Sequence, residues 1–194
     1  MKFITEIQFK KSKTDISYKD KLVLLGSCFT ENIGNKLITN KFQADINPFG
    51  ILYNPLSIAN SISILIEKKI FSETDLFFHN NIWQSFAHHG SFSDISKEKS
   101  LEKINNRITF STDNLLKANV LIITFGTAWV YELKETKKVV ANCHKLPEKE
   151  FNRRRLSVAE IRDTYTALIE KLRQYNSNLQ IIFTVSPIRH CKDG

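Results

Sequence analysis

Three short, unbroken apolar runs limit the folds open to this chain: Lys21 to Leu25 (KLVLL), Val120 to Phe125 (VLIITF) and Leu179 to Val185 (LQIIFTV). A strand that is covered on both faces reads as a continuous apolar run, whereas a half-buried strand alternates. Longer segments with helical spacing separate the runs. Strands alternating with helices imply an α/β fold of three layers, a mostly parallel sheet with helices on both faces. Right-handed crossovers then carry the strand ends to the same rim. Gly26-Ser27, Gly126-Thr127 and Ser186-Pro187 close the runs and are expected to meet there. The carboxyl rim is where open α/β sheets bind ligands.

The spacing predicts the intervening elements. Thr30 to Asn40 reads as a helix with Thr30 at its N-cap and Ile33, Leu37 and Ile38 on one face. Asn47-Pro48-Phe49-Gly50 is a turn. Asn54-Pro55 opens a helix to about Lys68, Asn at the N-cap and Pro at the first helical position, with Ile58, Ile62, Leu65 and Ile66 inward. Asp75 to His79 and Ile82 to Phe86 flank Asn80-Asn81, a short hairpin signal. Ser96 to Ala118 is one long helix or two short ones, its apolar stripe formed by Leu101, Ile104, Ile108, Leu115 and Leu116. A second hairpin joins Trp129–Leu133 to Lys138–Ala141. Ser157-Val158-Ala159-Glu160 is a capping box opening a helix to about Tyr175. The last apolar run is expected to be as buried as the other two.

A chain of 194 residues, 42% hydrophobic and 25% charged, is sized for one domain. Its amino terminus lacks a signal-peptide h-region, and no run has the roughly 18 apolar residues of a membrane span. Cytoplasmic placement and no membrane partner are the expectation. The 3 cysteines, Cys28, Cys143 and Cys191, form no disulfide framework. The net charge of +8 is scattered, with Arg153-Arg154-Arg155 the one run longer than a pair. No aromatic-basic interleaving accompanies it, so a solvated surface is preferred to nucleic-acid binding.

Chemistry is best placed at Ser27. It follows an apolar strand and precedes a helix, so its hydroxyl is expected to point out of the sheet edge, with helix-start amides beside it for an oxyanion. A plain helix cap is the competing explanation. There is no G-x-S-x-G and no G-x-G-x-x-G. Cys28, at the same helix start, is a second nucleophile, ranked behind Ser27. His79, His88, His89, His144 and His190 are the histidines. Each is a base, a substrate ligand or a structural residue. No metal-ligand spacing is present, and neither metal nor cofactor is expected. Trp129 and Tyr131 line a pocket or pack in the core. Lys145 and Arg189 steer an anionic substrate or face solvent.

Leu25-Gly26-Ser27-Cys28-Phe29-Thr30 resembles the motif that names the GSCFA family, with Thr30 in place of Ala. Further segments resemble the family in order along the chain. They are Pro48-Phe49-Gly50 to Tyr53-Asn54-Pro55, His88-His89 to Phe92, Phe125 to Tyr131, Asn142-Cys143-His144-Lys145 and Ser186 to His190. The family is similar to the SGNH/GDSL hydrolases, which implies a flavodoxin-like α/β fold with short added hairpins, spanning 1–194 as one domain. The resemblance implies Ser27 as nucleophile, Gly50 as an oxyanion amide, and Thr127 or Ala128 where the hydrolases place an Asn donor. Asn142 is the alternative donor. Cys28, Asn54, His89, Gly126 and His144 complete the expected substrate contacts. The hydrolases carry Asp-x-x-His after the last strands. Here His190-Cys191-Lys192-Asp193 reverses that order, so the expectation is a domain cut short at its carboxyl end, with its base beyond Gly194.

The function these residues imply is a serine esterase or O-acyltransferase acting on a small-molecule or carbohydrate ester. A non-catalytic module binding a glycan or small ligand on the same scaffold is the alternative. A Rossmann-type nucleotide binder ranks last, because the glycine spacing is missing.

Overall fold

The first apolar run is a strand because Leu22, Val23, Leu24 and Leu25 are all buried, facing alternate sides of one sheet. The computed structural model of the chain describes residues 15–186. Strand β1, Lys21–Gly26, leads into helix α1, Cys28–Thr39, and strand β2, Gln43–Ile46, which the sequence reading missed. Helix α2, Pro55–Glu67, follows a loop that returns across the rim. A hairpin, β3 (Phe77–His79) and β4 (Ile82–Gln84), precedes helix α3, Lys97–Leu116. Strand β5 is Val120–Phe125. Strands β6 (Trp129–Leu133), β7 (Val139–Val140) and β8 (Phe151–Arg155) come next. Helix α4, Val158–Tyr175, and strand β9, Gln180–Val185, complete the described elements.

The main sheet has the order β2-β1-β5-β9 and every pairing in it is parallel. Val23, Leu25, Leu121 and Ile123 pack with α2, α3 and α4. Leu22, Leu24 and Val120 pack on the opposite side with Leu37 of α1. The expected layers are therefore present, with one helix on one face and three on the other. From β1 the chain moves to one side, into β2, and then crosses to the other, into β5. The carboxyl ends of β1 and β5 thus flank a switch point, where such sheets open a crevice.

Several local expectations are corrected. Helix α1 begins two residues earlier than expected, with Ser27 and not Thr30 as its N-cap. Thr30 is inside the first turn and buried. Ile38 and Leu116 are 47% and 43% exposed, off their helices' apolar faces. The second hairpin is a three-stranded antiparallel sheet, β7-β6-β8. The Arg153-Arg154-Arg155 run lies in β8, where Arg154 pairs with Glu132 and Glu160. Among the described residues only β5 pairs with strand β9, whose Phe183 and Val185 are exposed. The caps at Asn54, Ser96 and Ser157 are made as the sequence implies.

Candidate active site at the sheet rim

Ser27 owes its position to the residue before it. Gly26 has φ of +149°, and a Cβ there would lie 2.3 Å from the Thr124 carbonyl oxygen and 2.8 Å from Thr30 Oγ1. Only glycine fits this turn, in which the chain leaves β1 and enters α1. The Gly26 peptide is held from both ends. Its N–H donates to Asn47 Oδ1 at 2.9 Å, and its carbonyl accepts from Leu52 N–H at 2.9 Å.

The hydroxyl of Ser27 was expected to be open, and it is not. Ser27 is 1% exposed. Its Oγ makes no hydrogen bond, not even the N-cap bond its position offers. The segment around Tyr53 meets the same rim. Gly126 N–H and Thr127 N–H both donate to the Tyr53 carbonyl, at 2.8 and 3.0 Å. A Cβ on Gly126 would meet Tyr53 Cδ1 at 2.9 Å and Ser27 Cβ at 3.4 Å. The absence of a side chain at Gly126 thus leaves room for Tyr53 and Ser27 to pack against the same point of the chain. Tyr53 remains 37% exposed. Burial, then the Cys28 thiol and the Glu31 carboxylate beside it, raise its hydroxyl pKa above the usual tyrosine range.

Three sequence-distant segments therefore meet at this rim: the Ser27 turn, the loop from Asn47 to Asn54, and Gly126-Thr127. Ser186 joins them through its N–H on the Phe125 carbonyl at 2.7 Å. The Gly50 amide, an expected oxyanion donor, is otherwise engaged. Gly50 N–H donates to the Asn47 carbonyl at 2.8 Å, closing the turn. Thr127 Oγ1 accepts from Trp129 N–H at 3.2 Å. Asn54 caps α2, its Oδ1 accepting from Ser57 N–H at 2.8 Å. At α1, the amides of the first turn have no intrahelical partners, and the Ser27 side chain does not cap them.

The histidines divide. His89 packs its Cβ 2.3 Å from where a Gly50 Cβ would lie, and its N–H donates to the Phe49 carbonyl. That puts it against the rim loop, with Nδ1 accepting from Ser91 N–H. His88 is fully buried and stacks on Phe49 at 4.7 Å. Its Nδ1 pairs with Ser85 Oγ, while Nε2 has no partner. Burial drives its pKa down to about 3, helped by His144 and Lys69. His144 is buried too, its Nε2 2.8 Å from the Ser85 carbonyl, and burial lowers its pKa. Asn142 Oδ1 accepts from His144 N–H at 2.8 Å. Burial pushes the Cys143 thiol up to about 11, leaving it protonated and unreactive. His190 and Arg189 lie outside the described residues.

A cavity of about 940 Å³ opens elsewhere, between α2 and the β6–β7 pair, with Ile64, Phe71, Phe86 and Val140 in its lining. Ser27, Gly50, Gly126 and Thr127 take no part in it. Ala141 and Leu146, which bracket Asn142 and His144, do. Among the described residues no group of His, Cys, Asp and Glu could hold a metal ion, and no helix is long and apolar enough to cross a membrane.

Sequence reasoning placed Asn47 in a turn and missed its part in the site. Its amide both fastens Gly26 and keeps Nδ2 buried without a partner. An Asn opening a turn directly after a strand was the available signal, and with β2 unread it carried no position.

A parallel central sheet with helices on both faces defines the class, an α/β protein. The chain belongs to the GSCFA family, which it matches over residues 21–194. No curated protein and no solved structure matches it.

Proposed function

We propose that this GSCFA-family chain is a serine acyl-transfer enzyme of flavodoxin-like SGNH type, cleaving or transferring the acyl group of an ester. The observation that carries the reading is the Ser27 hydroxyl, buried and without a partner at the start of α1, at the switch point of the sheet. Burying a hydroxyl unpaired costs about 1–3 kcal/mol, a cost for which a catalytic role is one of the recognised explanations.

In the reaction, Ser27 Oγ attacks the ester carbonyl carbon and its proton passes to a base. The carbonyl electron pair moves onto oxygen, where the Cys28 amide and the positive end of α1 hold it. Collapse of the adduct expels the alcohol and leaves an acyl-serine, which water or a second alcohol then clears. No described residue hydrogen-bonds Ser27 Oγ, so the reading assigns the base to residues outside 15–186. The Tyr53 segment must move aside for an ester to enter. A small-molecule or carbohydrate ester is the substrate class proposed.

A second reading, a non-catalytic module for a small ligand, is favoured by the burial of Ser27 and by the cavity on the other side of α2. Treatment with a fluorophosphonate, followed by peptide mass analysis, separates the two. Covalent modification at Ser27, abolished in Ser27→Ala, is expected. A folded sample left unmodified at Ser27 sinks the enzymatic reading.

A further inference from the structure

We infer that one face of the β6–β8 strand pair docks an acidic carbohydrate, with Arg153 and Arg155 taking a sugar carboxylate beside Trp129 and Tyr131. The inference builds on the carbohydrate-ester reading above and gives that substrate its charge.

Aromatic and basic residues do not interleave along the chain, but strand register brings them together. Strand β8 runs antiparallel to β6, with Trp129 opposite Arg155 and Tyr131 opposite Arg153. Side chains directly opposite share one face of such a pair, their Cβ atoms about 5 Å apart. The remaining pair on that face is Leu133 with Phe151, so no acidic residue holds a position on it in either strand. The carboxylates lie on the reverse face. There Arg154 donates to Glu132 Oε1 at 2.6 Å and to Glu160 Oε1 at 2.7 Å. Of three consecutive arginines, the middle one is thus neutralised, and the outer two carry their charge to the other side. Arg153 and Arg155 are exposed, and Trp129 and Tyr131 are half-buried.

The face is ordered as well as basic. The Arg153 guanidinium carbon lies 3.9 Å from the centroid of the Trp129 ring and 5.9 Å from that of Tyr131. Tyr131 is held edge-on by the buried ring of Phe151, with centroids 6.2 Å apart. Stacking fixes the plane of a guanidinium, and with it the direction of an N–H fork that matches a carboxylate. Arg155 makes no ion pair among the described residues. A uronic acid residue carries the complement in one unit, a C–H face for the aromatic side chains and a carboxylate for the arginines. A single-stranded nucleic acid calls for a longer basic groove tracking its backbone, and this face ends after two arginines. The face also starts at the proposed active rim, because Trp129 N–H donates to Thr127 Oγ1 at 3.2 Å.

The test is calorimetric titration of the chain with oligogalacturonate, beside an uncharged malto-oligosaccharide and polyuridylate. Saturable binding of oligogalacturonate is expected, tighter than that of either comparison ligand. Arg153→Gln combined with Arg155→Gln should weaken it by about tenfold or more, through loss of charge-assisted hydrogen bonds. Lys36→Gln combined with Lys41→Gln removes the same charge at α1 and should leave the affinity within about twofold. Equal weakening by the two pairs overturns the inference, since net charge alone then explains the binding. Where the double arginine variant fails to fold, Arg155→Gln alone decides, with a loss of about threefold or more expected and parent-like binding overturning the assignment. Malto-oligosaccharide or polyuridylate binding as tightly as oligogalacturonate overturns it too. Absence of oligogalacturonate binding overturns it and, where fluorophosphonate still modifies Ser27, leaves the serine reading standing. Binding of the expected kind with Ser27 unmodified supports the docking face and removes the enzymatic reading alone.

Discussion

Gly26 and His88 show how single residues set the terms of this site. At Gly26 the backbone angle and the Thr124 carbonyl both exclude a side chain. Gly26→Ala is expected to destabilise the fold by about 3 kcal/mol or more, since strain and overlap add. A urea midpoint unchanged from the parent chain would refute that. His88 is neutral in the fold, with its pKa near 3, and titrates near 6.5 once unfolded. Below pH 6.5 the unfolded chain therefore binds a proton that the folded chain refuses. Stability is full above about pH 7 and falls as the pH drops toward 3, by up to about 1.4 kcal/mol per pH unit. His144 acts in the same direction, and Asp75, which raises the His88 value, opposes it weakly. Urea unfolding from pH 7 to pH 4 should show this slope, and His88→Phe should flatten it. An equal slope in the two proteins would remove His88 as its source.

At the scale of elements, the rim is closed by a strip of chain rather than by a helix. The strip from Gly50 to Asn54 runs from the Asn47 turn to the cap of α2. On the way its Leu52 N–H binds Gly26 and its Tyr53 carbonyl binds Gly126 and Thr127. The ring of Tyr53 packs beside Gly126 and is itself 37% exposed. Tyr53→Ala is expected to speed fluorophosphonate labelling of Ser27 at least several-fold while changing the melting temperature little, because the carbonyl contacts remain. Labelling no faster than in the parent would show that the ring does not limit access. The strip is anchored by Asn54, whose side chain caps α2 and also reaches Ser57 Oγ at 2.9 Å. Asn54→Ala should cost about 1–2 kcal/mol in denaturant titration. A cost below a few tenths would mean that the neighbouring contacts hold the helix start without it.

The whole molecule distributes its stability unevenly across the sheet. Strands β1 and β5 are paired on both sides and buried on both faces, whereas among the described residues β9 pairs on one side alone and its Val185 is 74% exposed. Strand β2, the opposite edge, is fastened to α3 by a buried Asp45 carboxylate that receives Arg107 at 2.5 Å and Asn114 Nδ2 at 3.1 Å. Hydrogen exchange should therefore be slowest in β1 and β5, intermediate in β2 and fastest in β9. Equal protection of β9 and β5 would contradict this ranking. The consequence for the site is that Ser27 and Gly126 sit at the ends of the two most stable strands, while the strip over them is loop.

Strand, turn and helix signals that depend on neighbours in the chain could be read from residue order alone. The apolar runs of β1 and β5, the Asn54-Pro55 start of α2, the Asn80-Asn81 turn and the Ser157 capping box each follow from side chains a few residues apart. The nearness of Ser27 to Gly126 was legible too, because parallel pairing sends every strand end to one rim. Strand β2, with its short QADI sequence, was not legible, since part of what holds it is Arg107 on a distant helix. Nor was the exposure of β9, which depends on how many strands flank it and not on its composition. The burial of Ser27, and the unpartnered amide nitrogen of Asn47, are matters of where three loops meet. Hydrogen bonds between residues 21 to 74 positions apart make that meeting, and local sequence carries no record of such distances.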